Sequence, residues 1–256
     1  MSSGVVFQLS LDQSDLSEAM AMAEVGVAAG INVIEAGTIL ILAEGARNVL
    51  PALRTAYPNH PIVADVKCTD GVGPEFGVMF GYGANKATVM ASASDASIRN
   101  AVAEAAKYPG CEVMVDTMGC SGQAGTDILA QVTASKRAHD LGAHYVVLHL
   151  GYDERNANRA MVDDNLLLKW AEAVAKANIG IPIQVVGGLT MAQAKVLPTF
   201  GINEIVISMN LGTTSVTAMD YDKITGFTVD LNDAGDRARV QSQISEFIKE
   251  VNGASA

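Results

Sequence analysis

Short apolar runs rich in β-branched residues alternate with longer alanine- and leucine-rich segments along nearly the whole chain. The short runs have the length and composition of buried strands. Strands are therefore predicted at Val5–Leu9, Asn32–Glu35, Ile62–Ala64, Lys86–Met90, Glu112–Val115, His144–Leu148, Ile181–Val186 and Glu204–Ser208.

The longer segments are predicted to be helices, several of which begin at a capping residue. Ser14 or Asp15 is the expected cap of the first helix, and Gly30 its expected end. Pro51 lies in the second helix and can split it, because proline has no N–H to donate. The helices are predicted at Leu16–Ala29, Ile41–Tyr57, Glu75–Tyr82, Asp95–Lys107, Ile128–Leu141, Leu166–Lys176, Thr190–Phe200 and Arg237–Val251.

This alternation of strands and helices predicts a parallel sheet of the α/β class. Eight such units in 256 residues match a closed (β/α)8 TIM barrel, with residues 1–256 forming a single domain. An open doubly wound sheet is the alternative, but no Gly-x-Gly-x-x-Gly follows the first strand. Asn210–Asp236 is predicted to be a polar insertion between the eighth strand and the last helix, and Gly253–Ala256 a disordered tail.

The amino-acid composition restricts the binding partners that the protein can have and the cellular compartment that it fits. The net charge of −11 argues against binding to nucleic acid or to an anionic membrane surface. The chain shows neither a signal peptide nor an apolar run long enough to span a bilayer. Three cysteines, without the spacing of a metal site, fit a reducing, cytoplasmic setting.

Polar residues stand at the carboxyl ends of the predicted strands, where barrel active sites lie. Charged groups gathered in one mouth require a metal ion, a substrate or each other. The residues at these positions are Asp12, Glu35, Asp65, Lys67, Asp116, His149, Gly187 and Gly188.

Each of these residues also has a purely structural interpretation. Asp12 can cap the first helix, and Asp116 can cap the loop that follows it. Glu35 can simply pair with Lys67, and His149 can be a hydrogen-bonded core histidine. The glycine pair can form a tight turn. The common position of these residues is what favours a functional site.

Several motifs resemble one family. Ala64–Asp70 is similar to the Asp-x-Lys-x-x-Asp signature of the orotidine 5′-monophosphate decarboxylase superfamily, and Gln8–Asp12 to its first strand. Ile34–Leu40 resembles 3-keto-L-gulonate-6-phosphate decarboxylase. Val113–Asp116 and His149–Asp153 look more like 3-hexulose-6-phosphate synthase. The resemblance covers nearly the whole chain to the end of the eighth strand and indicates the branch that contains these two enzymes.

The resemblance implies a Mg²⁺-dependent enzyme that stabilises an enediolate formed from a phosphorylated ketose. Glu35 and Asp65 would be metal ligands, and Lys67 would offset negative charge on the enediolate. Asp70 would reach across a homodimer interface into the neighbouring site.

The resemblance also implies roles for residues around the substrate. His149, with Asp116, would move protons or position the one-carbon unit. The other positions carried over as contacts to the substrate are Asp12, Thr38, Tyr152, Gly187, Gly188 and Gly212.

The chain departs from the family pattern after the eighth strand. Members usually have a Gly-Gly or Gly-Arg pair there to complete the phosphate site. This chain has Ser208–Thr214, without the arginine, and Gly212 and Thr213 could donate to the phosphate instead. The connector Cys120–Gly125 is also longer than expected. Both departures lie on the substrate side of the barrel, where they would affect which phosphosugar binds.

Three functions follow from the resemblance. The first is 3-hexulose-6-phosphate synthase activity, an aldol addition of formaldehyde to ribulose 5-phosphate or its reverse. The second is decarboxylation of a 3-keto-hexonate 6-phosphate, which the family pattern associates with Glu at Asp116 and Arg at Tyr152. The third is a phosphosugar-binding barrel without catalysis.

Overall fold

Eight parallel strands form a closed barrel in which each strand pairs with its sequence neighbours and β8 pairs with β1. A computed structural model describes residues 4–122, 126–157, 165–209, 211–212, 215–217, 226–227 and 230–254. The strands are β1 Val6–Leu11, β2 Val33–Ala36, β3 Ile62–Cys68, β4 Lys86–Met90, β5 Glu112–Asp116, β6 Tyr145–His149, β7 Ile183–Val186 and β8 Glu204–Met209. The barrel predicted from the alternating pattern is confirmed, and the open sheet is excluded.

Helices follow the strands and cover the outside of the barrel. Trp170, Phe7, Phe76 and Phe247 are the largest side chains buried between the two layers. The helices are α1 Leu16–Ala29, α2 Thr38–Glu44, α3 Ala46–Ala56, α4 Val72–Gly81, α5 Asp95–Ala105, α6 Ile128–Asp140, α7 Tyr152–Ala157, α8 Leu166–Lys176, α9 Met191–Val196 with the 3₁₀ turn Leu197–Phe200, and α10 Ala234–Ala254.

Local signals fixed several helix ends as expected. The Asp15 carboxylate accepts from the amides of Ser17 and Glu18 and caps α1, which ends at Gly30 with φ +104°. Thr190 caps α9 in a reciprocal arrangement with Gln193. Asp12 is therefore not the cap of α1, which removes its simplest structural explanation.

The second predicted helix is split, but not at Pro51. The break is at Gly45, whose φ of +80° and ψ of 135° end α2 and start α3. Pro51 lies inside α3, where the chain continues as helix. A backbone angle open mainly to glycine thus interrupted the helix, whereas the proline was accommodated.

Between β8 and α10 the described residues include three short strands: Leu211–Gly212, Ser215–Thr217 and Gly226–Phe227. They form a small antiparallel sheet of their own. The other residues of the predicted insertion up to Val229, with Thr213 among them, lie outside the described residues, whereas residues 230–236 are described and include the start of α10. At the chain's end the expectation of disorder was wrong for Gly253 and Ala254, which are the last turn of α10.

Candidate active site

Side chains alternate between the inside and the outside of the barrel along each strand. This alternation places the predicted polar residues directly above a layer of apolar side chains inside the barrel. Val33, Val63, Met114 and Val147 form a small buried cluster, separate from the main core. Two residues further along the same four strands stand Glu35, Asp65, Asp116 and His149. Because side chains two apart share a face of a strand, the apolar layer supports the polar one.

A single cavity brings the main predicted residues together. Gln8, Thr88, Gln184, Val147, Val186 and Val206 line it together with Glu35, Asp65, Lys67, Asp116 and His149. The five ionisable groups predicted at the ends of four strands therefore meet, as the barrel hypothesis required.

A bulge in β3 turns Lys67 into this cavity. Ala64 pairs with Ala87 and Cys68 with Val89, so four steps along β3 match two along β4. Lys67 itself has φ +46°, a left-handed conformation that is rare for a residue with a side chain. Its amide donates to Thr88 Oγ1 at 2.9 Å, which holds the bulge against β4. The bulge therefore sets the backbone from which the Lys67 side chain reaches Asp65.

The Asp65 carboxylate is buried, and both of its oxygens accept from neighbouring side chains. Thr88 Oγ1 donates to Oδ1 at 2.7 Å, and Thr38 Oγ1 donates to Oδ2 at 3.1 Å. Lys67 Nζ forms an ion pair with Oδ2. Thr38 also donates to the Asp65 backbone carbonyl at 2.8 Å. Thr38, predicted as a substrate contact, positions Asp65.

Glu35 is held by polar side chains of neighbouring strands. Ser10 Oγ donates to Oε1 at 3.0 Å, and Gln8 Nε2 donates to Oε2. Gln184 on β7 donates in turn to Gln8 Oε1 at 2.9 Å. Burial, and then the charges of Asp65 and Asp12, raise the pKa of Glu35 to about 8. The simple pairing of Glu35 with Lys67 is not what the structure shows, because Lys67 pairs with Asp65.

Asp116 and His149 form a hydrogen-bonded pair at adjacent strand ends. Their Oδ2 and Nδ1 atoms are 2.8 Å apart, and the Met118 amide donates to Oδ1 at 2.8 Å. Burial raises the pKa of Asp116, but His149, Lys67 and the Met118 amide outweigh it, and the net shift is downward. An ionised Asp116 only accepts, so His149 Nδ1 carries the hydrogen of this bond, and Nε2 is the ring nitrogen that Asp116 does not hold.

Lys67 lies between the carboxylates of Asp65 and Asp116. Its Nζ lies 3.9 Å from Asp116 Oδ2 in addition to its contact with Asp65. Burial lowers the pKa of Lys67, but the charges of Asp65, Asp116 and Glu35 dominate and raise it above its ordinary value. Lys67 is therefore a permanent cation at neutral pH.

Asp12 lies at the edge of this cluster. Ser10 Oγ, which also donates to Glu35, is 3.2 Å from Asp12 Oδ1. Burial, followed by the charge of Asp65, raises the pKa of Asp12. A Cβ at Gly37 would come within 2.3 Å of Asp12 Oδ1, so the small residue after β2 leaves room for this carboxylate.

The glycine pair after β7 lies beside the end of β6. His149 on β6 is the register partner of Val186 on β7, and Val186 directly precedes Gly187 and Gly188. The two glycines have φ values of +131° and +67°, which favour glycine. A Cβ at Gly188 would come within 1.8 Å of Arg155 Nη1, so the guanidinium of α7 lies on this turn.

Besides Asp12, Thr38 and the glycine pair, three more predicted residues are not among those that line the cavity. Tyr152, the first residue of α7, is 57% exposed, and its ring is 5.7 Å from Arg155 Cζ. Asp70 is exposed and borders a different groove, of about 460 Å³, between the starts of α4 and α5. Gly212 pairs with Ser215 in the small sheet. Their predicted roles stay predictions.

The donor set fits a magnesium ion. Glu35 and Asp65 are two carboxylates close enough for the charge of one to raise the pKa of the other. Mg²⁺ commonly uses one or two protein carboxylates, with water and substrate oxygens completing its shell. Within the described residues no group of three or more His, Cys, Asp or Glu side chains is arranged to hold a metal ion. The pair Glu35 and Asp65 is therefore a donor set of the kind that Mg²⁺ uses in proteins.

Five polar residues of this region were not singled out from the sequence. Gln8 and Ser10 occupy alternate positions of an otherwise apolar strand, a period-two signal that could have identified them. Thr88, two residues after Lys86 in β4, and Gln184 in β7 are polar positions of the same kind. The local sequence of Arg155 offers no such signal, because its position depends on how α7 packs on β7.

A closed barrel with a half-buried lysine, two neighbouring carboxylates and an aspartate–histidine pair at the carboxyl ends of its strands is typical of a (β/α)8-barrel enzyme. The sequence model of the orotidine 5′-phosphate decarboxylase / HUMPS family matches residues 6–174. The chain belongs to this family.

Individual relatives point to one branch. A 3-hexulose-6-phosphate synthase from Mycobacterium gastri is 36% identical over 166 residues, 65% of this chain and 72% of the relative. A crystal structure of 3-hexulose-6-phosphate synthase is 26% identical with a TM-score of 0.68, covering 98% of this chain and 100% of the other. 3-Keto-L-gulonate-6-phosphate decarboxylase from Vibrio cholerae shares the fold at 24% identity, with a TM-score of 0.64 and 95% and 98% coverage.

No helix within the described ranges combines the length and apolarity needed to cross a bilayer.

Proposed function

We propose that this protein is a 3-hexulose-6-phosphate synthase, a carbon–carbon lyase that adds formaldehyde to ribulose 5-phosphate or catalyses the reverse cleavage. The observation that carries the proposal is the buried cluster of Lys67, Asp65 and the Asp116–His149 pair around one cavity. The synthases among the relatives support the same reaction.

The Asp116–His149 pair supplies proton transfer. In the synthetic direction, a proton leaves the ketose carbon beside the carbonyl, and the resulting enediolate carbon forms a bond to the carbon of formaldehyde. The former formaldehyde oxygen then takes up a proton. His149 Nε2 is the available acceptor and donor, because Nδ1 is held by Asp116 at 2.8 Å. Asp116 fixes the ring and its tautomer.

Lys67 stabilises the negative charge that develops on the enediolate oxygens. A cation fixed before the reaction needs no reorganisation as that charge forms. Its ion pair with Asp65 and its 3.9 Å approach to Asp116 hold Nζ in place. The bulge of β3 sets the backbone from which this side chain starts.

The cofactor in this proposal is Mg²⁺, with Glu35 and Asp65 as its protein ligands. When bound, the ion would supply Lewis-acid stabilisation of the sugar's oxygens. Ser10 and Gln8 orient Glu35, while Thr38 and Thr88 orient Asp65.

A homodimer in the cytoplasm also belongs to the proposal. Asp70 lies on the groove between α4 and α5 and not in the cavity of its own chain. An Asp70 that serves a neighbouring subunit explains this outward position. Cys68, Cys111 and Cys120 are free thiols, as a reducing compartment favours.

The test is turnover by the purified protein with Mg²⁺. Ribulose 5-phosphate and formaldehyde should be consumed together, and the six-carbon ketose phosphate should appear, in a ratio of one to one. Chelation of the metal should abolish this activity, and added Mg²⁺ should restore it. Absence of formaldehyde consumption with folded protein and Mg²⁺ would rule out this substrate pair.

Decarboxylation of 3-keto-L-gulonate 6-phosphate is the second candidate. The segment Ile34–Leu40 favours it, whereas Tyr152 in place of arginine counts against it. Release of CO₂ from that substrate, faster than formaldehyde addition, would favour the decarboxylase. Binding of both phosphosugars without turnover of either would instead indicate a non-catalytic barrel.

A further inference from the structure

We propose that Arg155 binds the phosphate group of the substrate, replacing the arginine that the family places after the eighth strand. This inference rests on the proposed function for the identity of the substrate, but the contact itself is a property of the α7–β7 junction.

The guanidinium of Arg155 lies against the turn Gly187–Gly188. A Cβ built on Gly188 would be 1.8 Å from Nη1 and 2.8 Å from Cζ. Any side chain at that position would displace the guanidinium. The absence of one at Gly188 lets a planar cation lie next to a backbone turn whose φ values are +131° and +67°. A planar fork of N–H donors is the geometry that recognises phosphate oxygens.

The position of Arg155 relative to the reacting groups suits a phosphosugar. Val186, which precedes the glycine pair, is the register partner of His149. Neighbouring strands are about 4.8 Å apart, so the turn lies roughly one strand spacing from the proton-transfer residue. The phosphate of a pentulose 5-phosphate is separated from the reacting carbon by the length of the sugar chain. With its phosphate at Arg155, the sugar would place that phosphate to one side of His149 and its carbonyl end toward Lys67.

The electrostatics of the mouth call for a second cation. Asp65 and Asp116 converge there, and Lys67 pairs with both of them. A phosphate dianion placed near these carboxylates is repelled unless a separate positive charge faces it. Arg155 provides that charge on the side of the barrel formed by β6 and β7.

Neighbouring contacts fix where α7 begins. The Arg155 amide donates to the Gly151 carbonyl at 3.1 Å, and the Glu154 carboxylate accepts from the Gly151 amide at 3.3 Å. The Arg155 guanidinium also lies 5.7 Å from the centre of the Tyr152 ring. Tyr152 therefore takes part through Arg155: it is a positioning residue for the phosphate-binding group.

The experiment compares Arg155→Ala, Arg155→Gln and Arg155→Lys with the wild type. Arg47→Ala is the matched control, because Arg47 is exposed on α3, across the barrel. Binding of inorganic phosphate is measured by calorimetry, and kcat and KM are measured for the phosphosugar. Loss of one charge-assisted contact should weaken phosphate binding and raise KM about 10- to 100-fold. We expect kcat to change less than about threefold, Arg155→Lys to recover part of the affinity, and Arg47→Ala to match the wild type.

The outcomes separate this inference from the proposed function. Unchanged phosphate affinity and KM in folded Arg155→Gln would overturn it, as would a loss confined to kcat or thermal stability. A wild type that binds no inorganic phosphate would overturn it too. Arg155-dependent phosphate binding in a protein with no synthase activity would support the phosphate site and reject the synthase. Synthase activity that is insensitive to Arg155 would do the reverse.

Discussion

Lys67 shows how one residue combines backbone strain with electrostatic function. Its left-handed backbone, at φ +46°, costs about 1–2 kcal/mol for a residue with a Cβ. The bulge and the amide contact with Thr88 maintain that conformation, which directs Nζ toward Asp65 and Asp116. Strain of this kind persists where the surrounding structure over-determines it.

Two substitutions at Lys67 separate its roles. Both Lys67→Ala and Lys67→Gly should lower kcat about 100-fold or more, because the fixed cation is lost. Glycine relieves the backbone strain, so Lys67→Gly should be more stable than Lys67→Ala by about 1 kcal/mol. Activity assays and urea unfolding measure the two effects. Lys176→Ala, at an exposed ion pair on α8, is the control. Full activity in Lys67→Ala would refute the catalytic assignment.

Glu35 should make the metal-free protein sensitive to pH. Its pKa is raised from an ordinary value of 4.5 to about 8, so between these values the folded chain holds a proton that the unfolded chain has lost. The free energy of unfolding therefore falls as the pH rises through this window. Glu35→Gln removes this titration. It should gain roughly 2–4 kcal/mol relative to the wild type between pH 4.5 and pH 9 without Mg²⁺.

Chemical unfolding of both proteins across that range, in chelator, measures the difference. Equal pH dependence in the two proteins would show that Glu35 titrates normally. Added Mg²⁺ should reduce the wild type's loss of stability at high pH, because the ion favours the ionised carboxylate. The same ion should affect Glu35→Gln much less.

At the scale of elements, the ends of β1 and β2 approach so closely that one glycine is required. The Gly37 amide donates to the Leu11 carbonyl at 3.0 Å, and α2 begins directly after Gly37. A Cβ there would come within 2.5 Å of the Leu11 carbonyl oxygen and 2.3 Å of Asp12 Oδ1. The requirement is one of space, because the φ of Gly37 is an ordinary −65°.

Gly37→Ala should therefore destabilise the protein by about 1–3 kcal/mol and displace Asp12, lowering turnover. Gly81→Ala is the matched control: no atom lies within 4 Å of its added Cβ, at the end of α4. It should be neutral or slightly stabilising. Thermal unfolding and steady-state kinetics test both variants. Equal stability of the two would show that β1 and β2 move apart at little cost.

For the whole molecule, the position of Asp70 predicts shared active sites. Asp70→Ala and Lys67→Ala subunits should each be inactive alone. Mixed dimers with one intact composite site should recover activity, to about a quarter of the wild type after random exchange. The measurement is activity after the two variants are unfolded together and refolded, with the mixed dimer verified by mass. Lack of recovery in verified mixed dimers would place Asp70 outside the partner's site.

Prediction from the sequence succeeded where the signal was periodic or local. Strand burial, the caps at Asp15 and Thr190, and the stop at Gly30 depend on a few adjacent residues. The break at Gly45 was missed because Pro51 offered the stronger local signal for interruption. The helical turn of Gly253 and Ala254 was missed because a glycine near the end of a chain is a local signal that a helix has ended.

The sequence alone determined the alternation of strands and helices, and with it the barrel and the end of the barrel at which Glu35, Asp65, Asp116 and His149 meet. These features follow from hydrophobic burial and from the two-residue period of strands. Only the tertiary structure decided that a bulge aims Lys67, that Gln8, Ser10 and Gln184 hold Glu35, and that Arg155 covers Gly188. Such contacts join residues far apart in the chain, and their geometry exists only once the barrel has closed.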